Sequence, residues 1–369
     1  AEAAVTRPRL SLAGVFLAAA AGAAAPLPAQ VPPKLSEARV ETRDASAGLE
    51  AAFRAAAAAA SPVWIAWAVP ASQGRRLCCG DGFDGWGCGG PCSLEGGKGS
   101  DTVNIRDRGD LEGGDSRVLI FSRVERGQTT RLRLFSDECS IRGGGMPVVW
   151  FLRVRPAESV AFLARLVADA PREEGDADEG KRPGQRALTA IALHDDASAD
   201  VALERFALPG SPDGTRKKAI FWLGNSRGRP GYEVLRRLAA EEQSDAVRKH
   251  VTFALSQSKV PEATETLIGM AKRDASPRVR GQALFWLAHK AGRKATEAID
   301  EAIRDDPETE VKKKAVFALT QLPADESTTQ LIRVARTNRN PQVRKQALFW
   351  LGQSKDPRAL AYIEEVLTR

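Results

Sequence analysis

The chain has 369 residues, 43% of them hydrophobic and 27% charged, with a formal net charge of +7 and five cysteines. That is enough chain for two domains, each with its own core. No aromatic-and-glycine RNA-binding word and no zinc-finger spacing accompanies the positive charge, so composition favours a solvated basic face over a nucleic-acid binder.

The N-terminus reads as an export signal spanning 1–29. Arg7 and Arg9 precede an apolar, alanine-rich run over 10–25, and Pro26-Leu27-Pro28-Ala29 follows, with cleavage expected after Ala29. The run is too short and too alanine-heavy for a transmembrane helix of about 20 apolar residues, so the mature chain is expected to have no membrane span. The expected location is periplasmic or secreted. Residues 30–60 contain a second alanine-rich stretch, interrupted by Arg54, that reads as a short helix.

Over 61–170 the apolar pattern shortens to β-type runs. The expected strands are 63–69 (VWIAWAV), 118–125 (VLIFSRVE), 130–135 (TRLRLF) and 148–154 (VVWFLRV). Glu125-Arg126-Gly127-Gln128 reads as a hairpin turn, and the alternation of Arg131 and Arg133 with Leu132 and Leu134 predicts one wet face on that strand. A helix over 157–168 completes a small α+β domain. Between its first two strands lies the glycine-dense loop CCGDGFDGWGCGGPC, with Cys78, Cys79, Cys88 and Cys92; Cys139 follows later. The spacing is not that of a zinc ribbon, and exported loops without a core are commonly held by disulfides. Disulfides among these five are therefore the leading reading, with one thiol left over. A metal site and reactive thiols are the alternatives. Residues 171–183 (PREEGDADEGKRP) form a charged, apolar-poor linker.

From 184 to 369 the chain repeats. Phe221, Phe253, Phe285, Phe317 and Phe349 stand 32 residues apart, and Leu235, Leu267, Ile299, Leu331 and Ile363 follow 14 residues after each Phe. Two apolar blocks per period with i, i+4 spacing mean two amphipathic helices per unit, about six pairs in all, stacked into an all-α solenoid. Trp222, Ala254, Trp286, Ala318 and Trp350 alternate large and small at one position, doubling the true period to 64. That pattern reads as duplication of a repeat pair with a volume-compensated core.

The words around each Phe, such as VRKHVTFALSQS, VRGQALFWLAHK and VRKQALFWLGQS, resemble the HEAT-like repeats of bacteria, also called the phycobilisome-lyase type. The motif is a helix opening with Val-Arg and running into Ala-x-x-x-Leu. The resemblance implies a ladder in which acids or amides at Glu242, Asp274, Asp306 and Asn338 pair with Arg248, Arg280, Lys312 and Arg344 to tie repeat to repeat. The iron-dependent hydroxylases built on similar repeats need His-Glu pairs, and none occurs beside His194, His250 or His289.

No Walker loop, nucleophile elbow or zincin word stands in a fitting context, so no catalytic residue and no cofactor is named. Helical geometry points Lys217, Lys249, Lys313 and Lys345 to the concave wall, together with Ile220, Thr252, Leu284, Val316 and Leu348. An apolar strip rimmed by lysines suits a protein or peptide partner. The leading reading is a non-catalytic, exported protein-interaction scaffold. The alternatives are a thiol- or metal-dependent enzyme centred on Cys78 to Cys92, and binding of an anionic polymer by the Arg/Lys columns.

Overall fold

The structure is a computed structural model and describes residues 31–59, 62–72, 75–79, 92–95, 103–107, 117–137, 139–170, 183–291 and 293–368. The expected signal peptide, most of the cysteine loop including Cys88, and the linker over 171–182 lie outside the described residues. In chain order the first elements are β1 (Leu35–Ser36), β2 (Arg39–Asp44), α1 (Leu49–Ala59), β3 (Val63–Pro70), β4 (Arg75–Cys79), β5 (Cys92–Ser93) and β6 (Val103–Asp107). They are followed by β7 (Arg117–Glu125), β8 (Gln128–Ser136), β9 (Ile141–Arg142), β10 (Pro147–Leu152) and α2 (Pro156–Ala168).

The main sheet runs β2-β10-β3-β7-β8, parallel across β2, β10 and β3 and antiparallel across β3, β7 and β8. β3 is apolar along its length because both of its faces are covered. Ile65, Trp67 and Val69 join the core under the helices, while Trp64, Ala66 and Ala68 meet Phe121, Phe135 and Trp150 on the opposite side. At the β7–β8 turn, Arg126 and Gly127 have φ of 50° and 77°, the two positive values that a type I′ hairpin requires.

Two features depart from the sequence reading. The 30–60 segment holds α1 but also the edge strand β2, registered from Arg39↔Pro147 to Asp44↔Leu152. Its word RVETRD is polar on both faces, so it carries no alternation to read. The wet face expected on β8 is also absent at Arg133, which is only 2% exposed. The small sheet β1-β9-β5 and the Leu94 segment cover that side, and the Arg133 guanidinium donates to the Leu94 carbonyl at 3.0 Å.

The remaining helices are α3 (Pro183–Leu193), α4 (Ala197–Ala207), α5 (Asp213–Ser226), α6 (Gly228–Glu241), α7 (Asp245–Gln257) and α8 (Glu262–Arg273). Then come α9 (Pro277–Ala291), α10 (Arg293–Asp305), α11 (Thr309–Leu319), α12 (Ala324–Thr337), α13 (Pro341–Gln353) and α14 (Pro357–Thr368). They lie in two rows. One row holds α3, α5, α7, α9, α11 and α13, each packed closely on the next; the other starts with α2 and continues through α4 to α14 with sparser contact. The closer packing bends the stack towards the first row, which is therefore the inner face.

α2 is the hinge of the architecture. It packs on α3 as the other hairpins pack, yet it also buries Phe162 against Phe53 and Trp67 beneath the sheet. Sheet and helical stack therefore share one continuous apolar core. The end of β3 reaches the stack directly: Ser72 N–H donates to the Leu193 carbonyl and Asp195 N–H to the Pro70 carbonyl.

Candidate functional site

Three constellations emerge from the helical stack. The first is the ladder. Arg248 donates to both carboxylate oxygens of Asp274 at 2.8 and 3.0 Å, and Arg280 does the same to Asp306 at 2.7 and 3.0 Å. Each guanidinium also donates to the main-chain carbonyl six residues before it, Glu242 or Asp274. Each acid also accepts from the N–H two residues on, Ser276 or Glu308, closing the turn that leads into the next helix. The rung therefore reaches forward 26 residues to the following repeat while closing its own turn. Hydrogen bonding to Asp274 and Asp306 raises the Arg248 and Arg280 guanidinium pKa values further.

Arg216 extends the ladder one step back. It pairs with Glu242 and donates to the Ala207 carbonyl at 3.0 Å, a rung that the Val-Arg word missed because Thr215 stands in place of Val. Burial alone would raise the Glu242 carboxyl, but the Ser244 N–H and Arg216 hold it below the usual carboxylate range. The rung between Lys312 and Asn338 is different. Lys312 Nζ donates to the Arg304 carbonyl, and the Asn338 amide reaches the Ile303 carbonyl at 3.4 Å. The carboxylate is lost on one side, and on the other the lysine keeps its charge but not the two-pronged guanidinium that grips a carboxylate. Arg344 keeps only the carbonyl half of the motif, donating to Asn338 and Arg339.

The second constellation is the inner face. Ile220, Thr252, Leu284 and Val316, expected on the groove floor, are fully buried in the seam between the helix rows, and only Leu348 is half-exposed. Rows packed this closely leave no room for a second open column. The surface is instead built by the Phe column. Phe221 stacks on Phe253 (5.8 Å, 17° between planes) and Phe285 on Phe317 (5.8 Å, 6°). Phe253 leans on Trp286 at 4.7 Å and Phe317 on Trp350 at 5.0 Å. With Phe221–Trp222, Phe285–Trp286 and Phe349–Trp350 in contact, the rings run unbroken from α5 to α13. The Phe residues of α5 to α11 are half-buried, and Phe349 is 54% exposed. The alternation of Trp and Ala is thus the geometry of this run: Trp fills the step that a Phe–Phe stack does not. Of the expected rim, Lys217, Lys249 and Lys345 are exposed, and Lys313 is ion-paired with Glu310 at 2.9 Å.

The third is a buried Ser–His pair that sequence reasoning did not bring together. His194 Nε2 lies 2.9 Å from Ser159 Oγ, and His194 Nδ1 lies 2.7 Å from the Ala190 carbonyl. Trp67 Nε1–H donates to the same Ser159 oxygen at 2.8 Å. Because the carbonyl can only accept, Nδ1 carries the proton and Ser159 donates to Nε2. Ser159 and His194 are both 0% exposed, so no substrate reaches the pair. It joins β3, α2 and α3. Burial, the largest influence, lowers the His194 pKa to about 4. Only contact across the fold could reveal it, since the two residues lie 35 apart in different elements.

Among the cysteines, Cys92 is buried in the second core and Cys139 packs against the same cluster. Pairing among the loop cysteines rests on residues outside the description.

The repeat, two helix rows and forward-reaching rungs agree with a family match: residues 202–288 and 296–369 match HEAT repeats. The C-terminal half is a HEAT-repeat array. No curated protein matches the chain. Among solved structures, human deoxyhypusine hydroxylase in complex with glycerol is similar at 16% identity, covering 58% of this chain and 80% of its own, with a TM-score of 0.31. The CpcE–CpcF complex of phycocyanin lyase from Nostoc sp. PCC7120 is similar at 19% identity, covering 43% of this chain and 97% of its own, with a TM-score of 0.32. Neither likeness bears on activity. No described helix of the HEAT array or the sheet domain is long and apolar enough to cross a membrane.

Proposed function

We propose that the chain is a non-catalytic, exported scaffold that holds a protein partner on the inner face of its HEAT array. The observation that carries this reading is the half-exposed run of rings from α5 to α13, an apolar strip on the very row towards which the stack bends. Repeat arrays use such extended concave surfaces for binding. The outer row suits a passive wall. Its charges neutralise one another between repeats, as in Arg229–Glu262 at 2.6 Å and Arg336–Glu365 at 2.9 Å.

Export rests on the Arg7 to Ala29 pattern, and disulfides involving Cys92 are the companion proposal for the loop. N-terminal sequencing of protein from the cell envelope should begin at Gln30, and titration without reductant should find a single free thiol. Four or five free thiols would remove the disulfide proposal. The scaffold reading is tested by photo-crosslinking in cells. p-Benzoylphenylalanine at Phe253 or Phe317 should yield a discrete protein adduct, and the same group at Arg236 on the outer row should not. Adducts from Arg236 alone would overturn it.

A further inference from the structure

The inner face is built in three tiers at one-turn spacing. Lys217, Lys249 and Lys345 stand four residues before Phe221, Phe253 and Phe349; Asn225, Gln257, His289, Gln321 and Gln353 stand four residues after the five Phe positions. Residues four apart on a helix lie one above the other, so cation, ring and amide follow in order along α5, α7 and α13. The first tier is interrupted at Gly281, and the side chain of Lys314 lies across that glycine: a Cβ at 281 would come within 2.3 Å of Lys314 Cδ. The missing lysine of one repeat is thus replaced from the next. Partial burial, then the charges of Lys249 and Arg278, pull the Lys314 ammonium down, with Glu310 opposing them. Cations therefore crowd here. Among the described residues no salt bridge engages Lys217, Lys249 or Lys345, while the outer row pairs its charges across repeats, as in Lys272–Glu301 at 2.5 Å.

The rings add a second constraint. Phe221 and Phe253, and Phe285 and Phe317, lie nearly parallel with centroids 5.8 Å apart, an offset arrangement in which the members of each pair cover only part of each other's faces. Ring edges carry the positive part of the aromatic quadrupole and suit carboxylates and apolar side chains. In the third tier, Gln257 and Gln321 are held by hydrogen bonds from their NH2 groups to Ser256 and Thr320 at 3.1 and 2.8 Å. These amides are placed to meet the main chain of an extended peptide.

We infer that the partner presents an extended acidic segment, rich in Asp and Glu with interspersed apolar residues, laid along the inner face. Its carboxylates meet the lysine tier, its apolar side chains the ring edges, and its peptide groups the amide tier. This rests on the scaffold reading above and adds the chemistry of the ligand to it.

Random-peptide display on the full chain tests it, with Lys217→Glu/Lys249→Glu/Lys345→Glu as counter-selection. Enriched peptides should be net acidic, should weaken about tenfold or more as salt is raised to screening levels, and should lose about tenfold or more in affinity for the triple variant. All three substituted lysines are exposed, so the variant should keep the parent circular-dichroism spectrum; Phe253→Ser provides a second, charge-neutral loss. Neutral or basic peptides that crosslink to the inner face would overturn the acidic segment and leave the scaffold standing. Peptides that tolerate the triple variant and crosslink to the outer row would overturn both. An empty selection, or tighter binding of oligothymidine than of any peptide, would also overturn the inference.

Discussion

His194 shows how one side chain joins two parts of the molecule. It closes the chain Trp67–Ser159–His194–Ala190, and burial lowers its pKa to about 4 from 6.5. The folded state holds the neutral imidazole, and the unfolded chain takes up a proton below pH 6.5. Stability from this group is thus complete at neutral pH and is lost as pH falls through that window, amounting to about 3 kcal/mol by pH 4. Urea titrations at stepped pH should show the slope, and His194→Asn should flatten it while lowering stability at neutral pH.

The ladder makes an opposite pair of predictions at the same scale. Asp274→Ala strands Arg248, whose side chain is only 13% exposed, and should cost about 3 kcal/mol. Restoring the missing rung with Lys312→Arg and Asn338→Asp together should instead raise stability by about 1 kcal/mol. Asp at 338 can still accept from Asn340 N–H, as Asn338 does at 2.9 Å. Either change made alone should gain less than the pair. Chemical denaturation of the four variants closes the cycle. The ladder residues were legible because they recur every 32 residues, but the acid six before each Arg offers it only a carbonyl, and the carboxylate partner lies 26 residues ahead in the next repeat. The Arg216 rung was not, because its neighbouring Val is Thr215.

Among elements, the decisive contacts are helix on helix. Gly224 of α5 sits where α7 approaches, and a Cβ there would lie 2.2 Å from the Ala254 carbonyl oxygen. Backbone cannot swing aside as a lysine tail can. Gly224→Ala should therefore cost about 2–3 kcal/mol by overpacking, whereas Gly352→Ala, with nothing within 4 Å, should stabilise α13 by several tenths of a kcal/mol or more. Paired thermal melts distinguish the two. The helices themselves were readable from the 3.6-residue period, and the central strands from their β-branched and aromatic runs. β2 was not, because a polar edge strand buries neither face. Nor was the burial of Arg133, because alternation records two faces without recording what covers them.

At the scale of the whole molecule, the sheet domain and the HEAT array share α2 and one core. Their unfolding should therefore be coupled. Tryptophan fluorescence, to which the sheet contributes the buried Trp64, Trp67 and Trp150 and the array Trp222, Trp286 and Trp350, and the helical circular-dichroism signal should fall together in one transition on heating. Two separated transitions would show that α2 does not transmit stability. Substituting Phe162 with Ala removes the side chain that touches both Phe53 and Trp67, and should lower both signals' midpoints together.

By itself, the sequence determined the repeat and the helix pairs, because each is a local period that recurs with the helix turn; it named the residues of the ladder but not that each Arg side chain reaches the acid 26 residues ahead. It also marked the lysine column, since exposed cations follow from helical phase alone. Only the tertiary structure decided which apolar column is buried and which is surface. Ile220 and its equivalents disappear into the seam while Phe221 and its equivalents emerge as a run of rings, and both lie next to each other on the same helix. A rotation of one residue step separates them, and the closeness of neighbouring helices, which no single repeat encodes, selects between them.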